Sequence, residues 1–138
     1  MDYEKMRAYR NSNNPHAQRL GIWLEELSEG HAVVTKTIGP EDLNPLEAVH
    51  GGVVFSMADV ATGCAAASFG YMAVTVNAAY NYYRTAKLGD RLTGVATEVK
   101  HGRTICVFEA RITDQNDKLV GSGTFTYFLH QDKEIILK

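Results

Sequence analysis

An excess of charge of either sign is missing from this sequence: 14 Lys and Arg stand against 16 Asp and Glu, a net charge of −2. Such a balance argues against nucleic acid and against an anionic membrane as partners. Cysteine is scarce as well. Cys64 and Cys106 lie in apolar contexts and have no metal-ligand spacing, so neither a disulfide framework nor a zinc site is expected. Free thiols in a reducing cytoplasm fit better. No Gly-x-Ser-x-Gly elbow occurs, and no acid and histidine cluster has ligand spacing. That speaks against a nucleophile-elbow hydrolase and a metal centre, and no cofactor is expected. Repeats, low-complexity tracts and a signal-peptide pattern are also lacking. The 138 residues, 45% apolar and 22% charged, read as one globular domain over 1–138.

What the sequence does have is one long, nearly uncharged run from His50 to Ser68, without proline and with Asp59 as its only acid. It predicts a helix of about 27 Å, too short for a convincing membrane span and apolar on nearly every side, hence central and buried. Gly51-Gly52 opens it, although each glycine weakens a helix by about 1 kcal/mol. A pair of them in the first turn reads as a loop-to-helix turn or as a place where something approaches the backbone. The N–H groups there lack helical partners and favour developing negative charge. Spacing by three and four puts Gly52, Phe55, Ser56, Thr62, Gly63 and Ala66 on the side of Asp59. An acid on so small-sided a face is either a paired structural group or a working one.

Around this helix, residues 2–10 predict a short polar helix, broken at Ser12–Asn14. Asn14-Pro15 caps a further turn through Arg19. Ile22–Leu27 and His31–Ile38 form a hairpin, and 39–49 is a loop. Val74–Tyr83 alternates, with Val74, Val76, Ala78, Tyr80 and Tyr82 on one face. Ala86–Asp90 makes a turn, Arg91–Lys100, Thr104–Thr113 and Leu119–His130 follow, four strands in all linked by short turns, and a charged tail comes last. Short turns make antiparallel neighbours. The economical fold is α+β, an antiparallel sheet wrapped around one long central helix, with edges that call for a second copy.

Asn44-Pro45, His50-Gly51-Gly52, Asp59 seven residues after Gly52, the Thr/Asn-rich strand and the Gly89-Asp90 turn together resemble the hotdog-fold acyl-CoA thioesterases. The nearest branch is the phenylacetic-acid-degradation (PaaI-like) group, and the likeness runs from about Asn14 to Leu129, taking in Gly102-Arg103 and Gly121–Thr126. Glu47 departs from that pattern, standing where the branch often has glycine. The resemblance implies an acyl-CoA substrate and a homodimer or homotetramer (a dimer of dimers) with sites between subunits. It implies Gly52 N–H, with Gly51, on the thioester carbonyl, Asp59 as general base or nucleophile, Asn44 holding substrate or water, and His50 shaping the loop.

The chemistry agrees. Thioester hydrolysis needs an oxyanion donor and an activated oxygen, each able to contribute orders of magnitude. Ser56 lies on the Asp59 face as a substrate contact. Arg84, Lys87, Lys100, His101 and Arg103 lie at strand ends, as phosphate contacts for CoA or as ordinary solvated turn residues. Tyr80, Tyr82 and Tyr83 line an acyl pocket or pack the sheet. A hotdog hydratase or dehydratase, and a non-catalytic acyl-CoA binding module, remain as alternatives of other classes.

Overall fold

In the computed structural model, residues 1–137 are described. Helix α1 spans Tyr3–Ser12 and α2 Pro15–Leu20, followed by β1 Trp23–Ser28 and β2 His31–Thr37. A 3-10 turn at Pro40–Asp42 leads to α3, Gly51–Ala67; β3 Tyr71–Tyr82, β4 Arg91–His101, β5 Ile105–Thr113 and β6 Leu119–Glu134 complete the chain. The six strands form one antiparallel sheet in the order β1-β2-β4-β5-β6-β3. α3 lies across it: Val54, Met57, Ala58 and Ala61 are buried against Val34, Leu92, Phe108 and Phe125 in one core. Among the described residues no helix is long and apolar enough to cross a membrane.

α3 starts and stops within a residue of the expected limits, with His50 as N-cap and Ser68 as C-cap. It is not buried on every side. Thr62 and Ala66 are covered, but Gly52 is exposed, and Phe55, Ser56, Asp59, Val60 and Gly63 are only half-buried. That leaves one open stripe along the helix.

The faces of β3 differ from simple alternation. A register shift between Thr75 and Asn77 against β6 inserts a bulge, and a bulge reverses which side chains face inward. Val74 and Val76 therefore point outward, 46% and 54% exposed, while Ala78 and Tyr80 pack against the core. β3 is also an edge strand, with Met72 on the same outer row. It does not pair with β4, as the short connection through Ala86–Asp90 implied: that segment carries the chain to the other side of the sheet, where β4 lies between β2 and β5. β6 likewise runs past His130 into the charged segment as far as Glu134, pairing it with Tyr71.

The first helix is longer than its polar composition suggests and is docked. Met6 is fully buried, and the Asn11 carboxamide exchanges hydrogen bonds of 2.8 and 3.0 Å with the backbone of Leu24. A buried ion pair anchors the loop before α3: Lys36 Nζ lies 2.9 Å from Asp42 Oδ2 and also donates to the Leu20 carbonyl. The Asp42 carbonyl in turn accepts from His50 N–H at 2.8 Å.

Candidate active site

Asp59 stands on the open stripe. Its Oδ1 accepts from Tyr127 Oη and from Thr75 Oγ1, both at 2.9 Å. Thr75 and Tyr127 face each other across the β3–β6 ladder, which brings both hydroxyls to one oxygen. Oδ2 makes no hydrogen bond among the described residues and is available for chemistry. Burial, and then the Asp59 carboxylate, push the Tyr127 phenol well above its ordinary range, so it stays a donor.

A cavity of about 260 Å³ opens here, lined by Arg10, Asn14, His16, Asp59, Gly63 and Tyr127 among others. Arg10, His16, Thr75 and Tyr127 carry no signal in the sequence. They meet Asp59 only because α1, α2, β3 and β6 converge on α3.

Ser56 lies one turn before Asp59. His16 Nε2 is 3.0 Å from Ser56 Oγ, and Arg19 reaches His16 Nδ1 at 3.1 Å. Arginine only donates. Nδ1 is therefore the acceptor, a neutral ring carries its proton on Nε2, and Ser56 Oγ accepts it. The serine proton is left to donate outward.

At the helix start the expected donor is already taken. Gly52 N–H donates to His50 Nδ1 at 2.8 Å, the side chain acting as N-cap. Gly51 N–H has no acceptor among the described residues. It borders a cavity of about 270 Å³ with Val49, Tyr82, Tyr83 and Arg84, and Tyr82 Oη donates to the Gly51 carbonyl at 3.2 Å. The free amide is thus Gly51, where the sequence reading put Gly52 first.

Asn44 organises the loop: its Oδ1 accepts from the N–H groups of Leu46 and Ala48 at 2.9 and 3.2 Å. Glu47 sits in the left-handed region with φ of 61°, a conformation glycine adopts without strain. Glu47 and Lys87 share a third cavity, of about 570 Å³, with Leu46 and Leu88. Lys100, His101 and Arg103 sit at the far end of α3, where His101 stacks on Phe69 with ring centroids 3.7 Å apart. Within one chain the fold does not bring Arg103 to Gly51. Burial raises the thiols of Cys64 and Cys106, which makes both poor nucleophiles. Among the described residues no three His, Cys, Asp or Glu side chains gather to hold a metal ion.

A long central helix packed against one antiparallel sheet is the arrangement of the hotdog fold. Residues 46–121 match the model of the thioesterase superfamily, and the chain belongs to that family. It is 36% identical over 108 residues to the acyl-coenzyme A thioesterase PaaI of Escherichia coli K12, covering 78% of this chain and 77% of that protein. The structure of E. coli PaaI, from the phenylacetic acid degradation operon, superposes with a TM-score of 0.87 over 96% of this chain and 99% of that one, at 31% identity. A hypothetical thioesterase of Streptococcus pneumoniae TIGR4, solved with coenzyme A, gives 0.79 at 34% identity over 83% and 91%. The S. pneumoniae protein has also been solved with an aspartate, and with a threonine sixteen positions later, each changed to alanine.

Proposed function

We propose that the protein hydrolyses acyl-CoA thioesters to the free acid and CoA. The observation that carries this reading is Asp59: one carboxylate oxygen fixed by two hydroxyls, the other free at a cavity. Asp59 and Thr75 are sixteen residues apart, the spacing of the pair substituted in the S. pneumoniae thioesterase. Gly51 N–H receives the thioester oxygen. Asp59 takes a proton from water as the water attacks the carbonyl carbon, or attacks that carbon itself to form an anhydride that water then opens. The carbon–sulfur bond breaks and the CoA thiolate leaves to be protonated. The His50 ring is committed to Gly52 N–H, which leaves no free imidazole at the helix start for the base of a hydratase.

Gly51 and Asp59 are eight residues apart on one helix, about 12 Å along its axis. They do not reach the same thioester within one chain. A site that uses both joins Gly51 of one subunit with Asp59 of another, and the uncapped β3 edge with its outward Met72, Val74 and Val76 supports such pairing. We therefore propose a homodimer or a dimer of dimers, with Arg84 and Lys87 near the helix start as contacts for CoA phosphates. The two buried free thiols fit a reducing compartment such as the cytoplasm.

Free-thiol release from a panel of acyl-CoAs, run beside Asp59→Ala, tests the reaction. Release that disappears in the variant supports it. Crotonyl-CoA hydration without thiol release, or no turnover of any member, overturns it. A single turnover in 18O water separates the two routes, since label entering the Asp59 carboxylate marks the anhydride.

A further inference from the structure

The Asp59 cavity does not end at Asp59. A second cavity, of about 180 Å³, is walled by Met6, Tyr9, Ala67 and Met72 and shares Arg10, Gly63 and Ala73 with the first. Together they make a trough along the open stripe of α3, between α1 and β3. Its walls beyond Asp59 are mostly apolar, and Arg10 is the exception.

Arg10 is half-buried and makes no ion pair among the described residues. Its Nε is buried without a hydrogen-bond partner. The guanidinium is within hydrogen-bonding reach of the Cys64 thiol, but burial holds that thiol neutral and it supplies no charge. A guanidinium taken from water without an anion is costly. This one lies over Gly63, where an added Cβ would stand 3.8 Å from its Nη2 and 3.4 Å from the Tyr127 hydroxyl. The glycine keeps that space open.

We infer that Arg10 receives a carboxylate at the far end of the acyl group, so that the preferred substrate is the mono-CoA thioester of a short dicarboxylic acid. This rests on the thioesterase reading. A guanidinium fork matches a carboxylate in charge and in geometry. The Asp59 carboxylate repels a second anion from the near end of the trough, and Arg10 attracts it to the far end. From Asp59 to Gly63 the helix rises about 6 Å, within reach of a short aliphatic chain. α1, which carries Arg10, lies outside residues 46–121 that match the family model.

Adipoyl-CoA and hexanoyl-CoA, equal in length and differing in the terminal carboxylate, make the test. The wild type is expected to favour adipoyl-CoA in kcat/KM by about 10- to 100-fold, the range of a charge-assisted hydrogen bond. Arg10→Gln removes that preference by raising KM for adipoyl-CoA far more than for hexanoyl-CoA, while Arg10→Lys restores part of it. Equal efficiency of the wild type on both thioesters, or a parallel loss of both in Arg10→Gln, overturns the inference. Binding of free adipate and hexanoate, followed by ligand-observed NMR, reads the trough without turnover. Adipate binding lost in Arg10→Gln supports the assignment even in a protein that releases no thiol, an outcome that would overturn the thioesterase reading alone. Adipate binding unaffected by Arg10→Gln overturns the assignment.

Discussion

The hydroxyl of Tyr127 lies 2.9 Å from Asp59 Oδ1. The same hydroxyl is 2.9 Å from the Asp59 carbonyl and 2.8 Å from Thr62 Oγ1, yet it has one proton to give. The charged oxygen makes the stronger bond and takes it. A buried phenol therefore orients the acid, with Thr75 as the second donor, and the other carboxylate oxygen is left facing the cavity.

Removing the acid should remove turnover. Asp59→Asn keeps the shape and loses the base, so kcat is expected to fall by about 10²- to 10⁴-fold with KM little changed. Steady-state kinetics on the best acyl-CoA check this, and near-wild-type turnover would take Asp59 out of the mechanism.

Tyr127 should leave a mark on alkaline stability. Burial and Asp59 raise its phenol above the unfolded value of 10.0. The folded protein then keeps a proton that the unfolded chain releases above about pH 10. That stabilisation is complete below pH 10 and is lost as pH rises further. Tm should decline above pH 10 in the wild type and less steeply in Tyr127→Phe. Tyr80, raised mainly by its own burial, sustains the remainder. Parallel curves for the two proteins would contradict the assignment.

The direction of the His16–Ser56 bond can be reversed. In His16→Gln the amide oxygen accepts from Arg19 and the amide nitrogen donates to Ser56, so activity should stay near wild type. His16→Glu turns Ser56 into the donor toward residue 16, and kcat/KM should fall. The difference should vanish when Ser56→Ala is combined with each. A difference that survives in the Ser56→Ala background would show that the effect does not pass through Ser56.

Glu47→Gly should stabilise the fold by about 1 kcal/mol, because glycine accepts a positive φ that costs other residues. Chemical denaturation measures it, and a midpoint that is unchanged or lower counts against the strain.

Lys36→Met strands the Asp42 carboxylate, with its side chain only 1% exposed. Breaking such a pair costs about 3–5 kcal/mol. Lys36→Met combined with Asp42→Leu should recover part of the loss in the same denaturation assay.

Much of the fold was legible because α3 is spelled by composition: an apolar run bounded by His50 and Ser68 has few other places to go. Short turns explain the neighbours β1–β2, β4–β5 and β5–β6, but not the place of β3, which pairs with β6 rather than with β4. The faces of β3 were not legible, since Val74 through Tyr82 alternate without a break and the bulge at Thr75 and Asn77 is imposed by pairing with β6. At the site, Asp59 and Gly51-Gly52 stood out as oddities on an apolar helix. The assignment of the free amide did not, because it turns on where the His50 ring points. Arg10 and His16 were hidden for another reason. A polar residue on a short polar helix is unremarkable until α1 and α2 dock beside α3. The left-handed backbone of Glu47 now gives a physical reason for the glycine often found there.

The pairing of β3 with β6 also sets a schedule for synthesis. β3 leaves the ribosome well before β6, and its ladder partner in the sheet is the last strand made. Until then a nascent chain carries Val74 and Val76 on a bare strand, and α3 beneath an unclosed sheet. Closure waits on a contact between distant parts of the chain, the kind that forms slowly and leaves the unfinished chain prone to aggregation. A ribosome stalled after β5 would hold a chain with its helix made and its sheet still open.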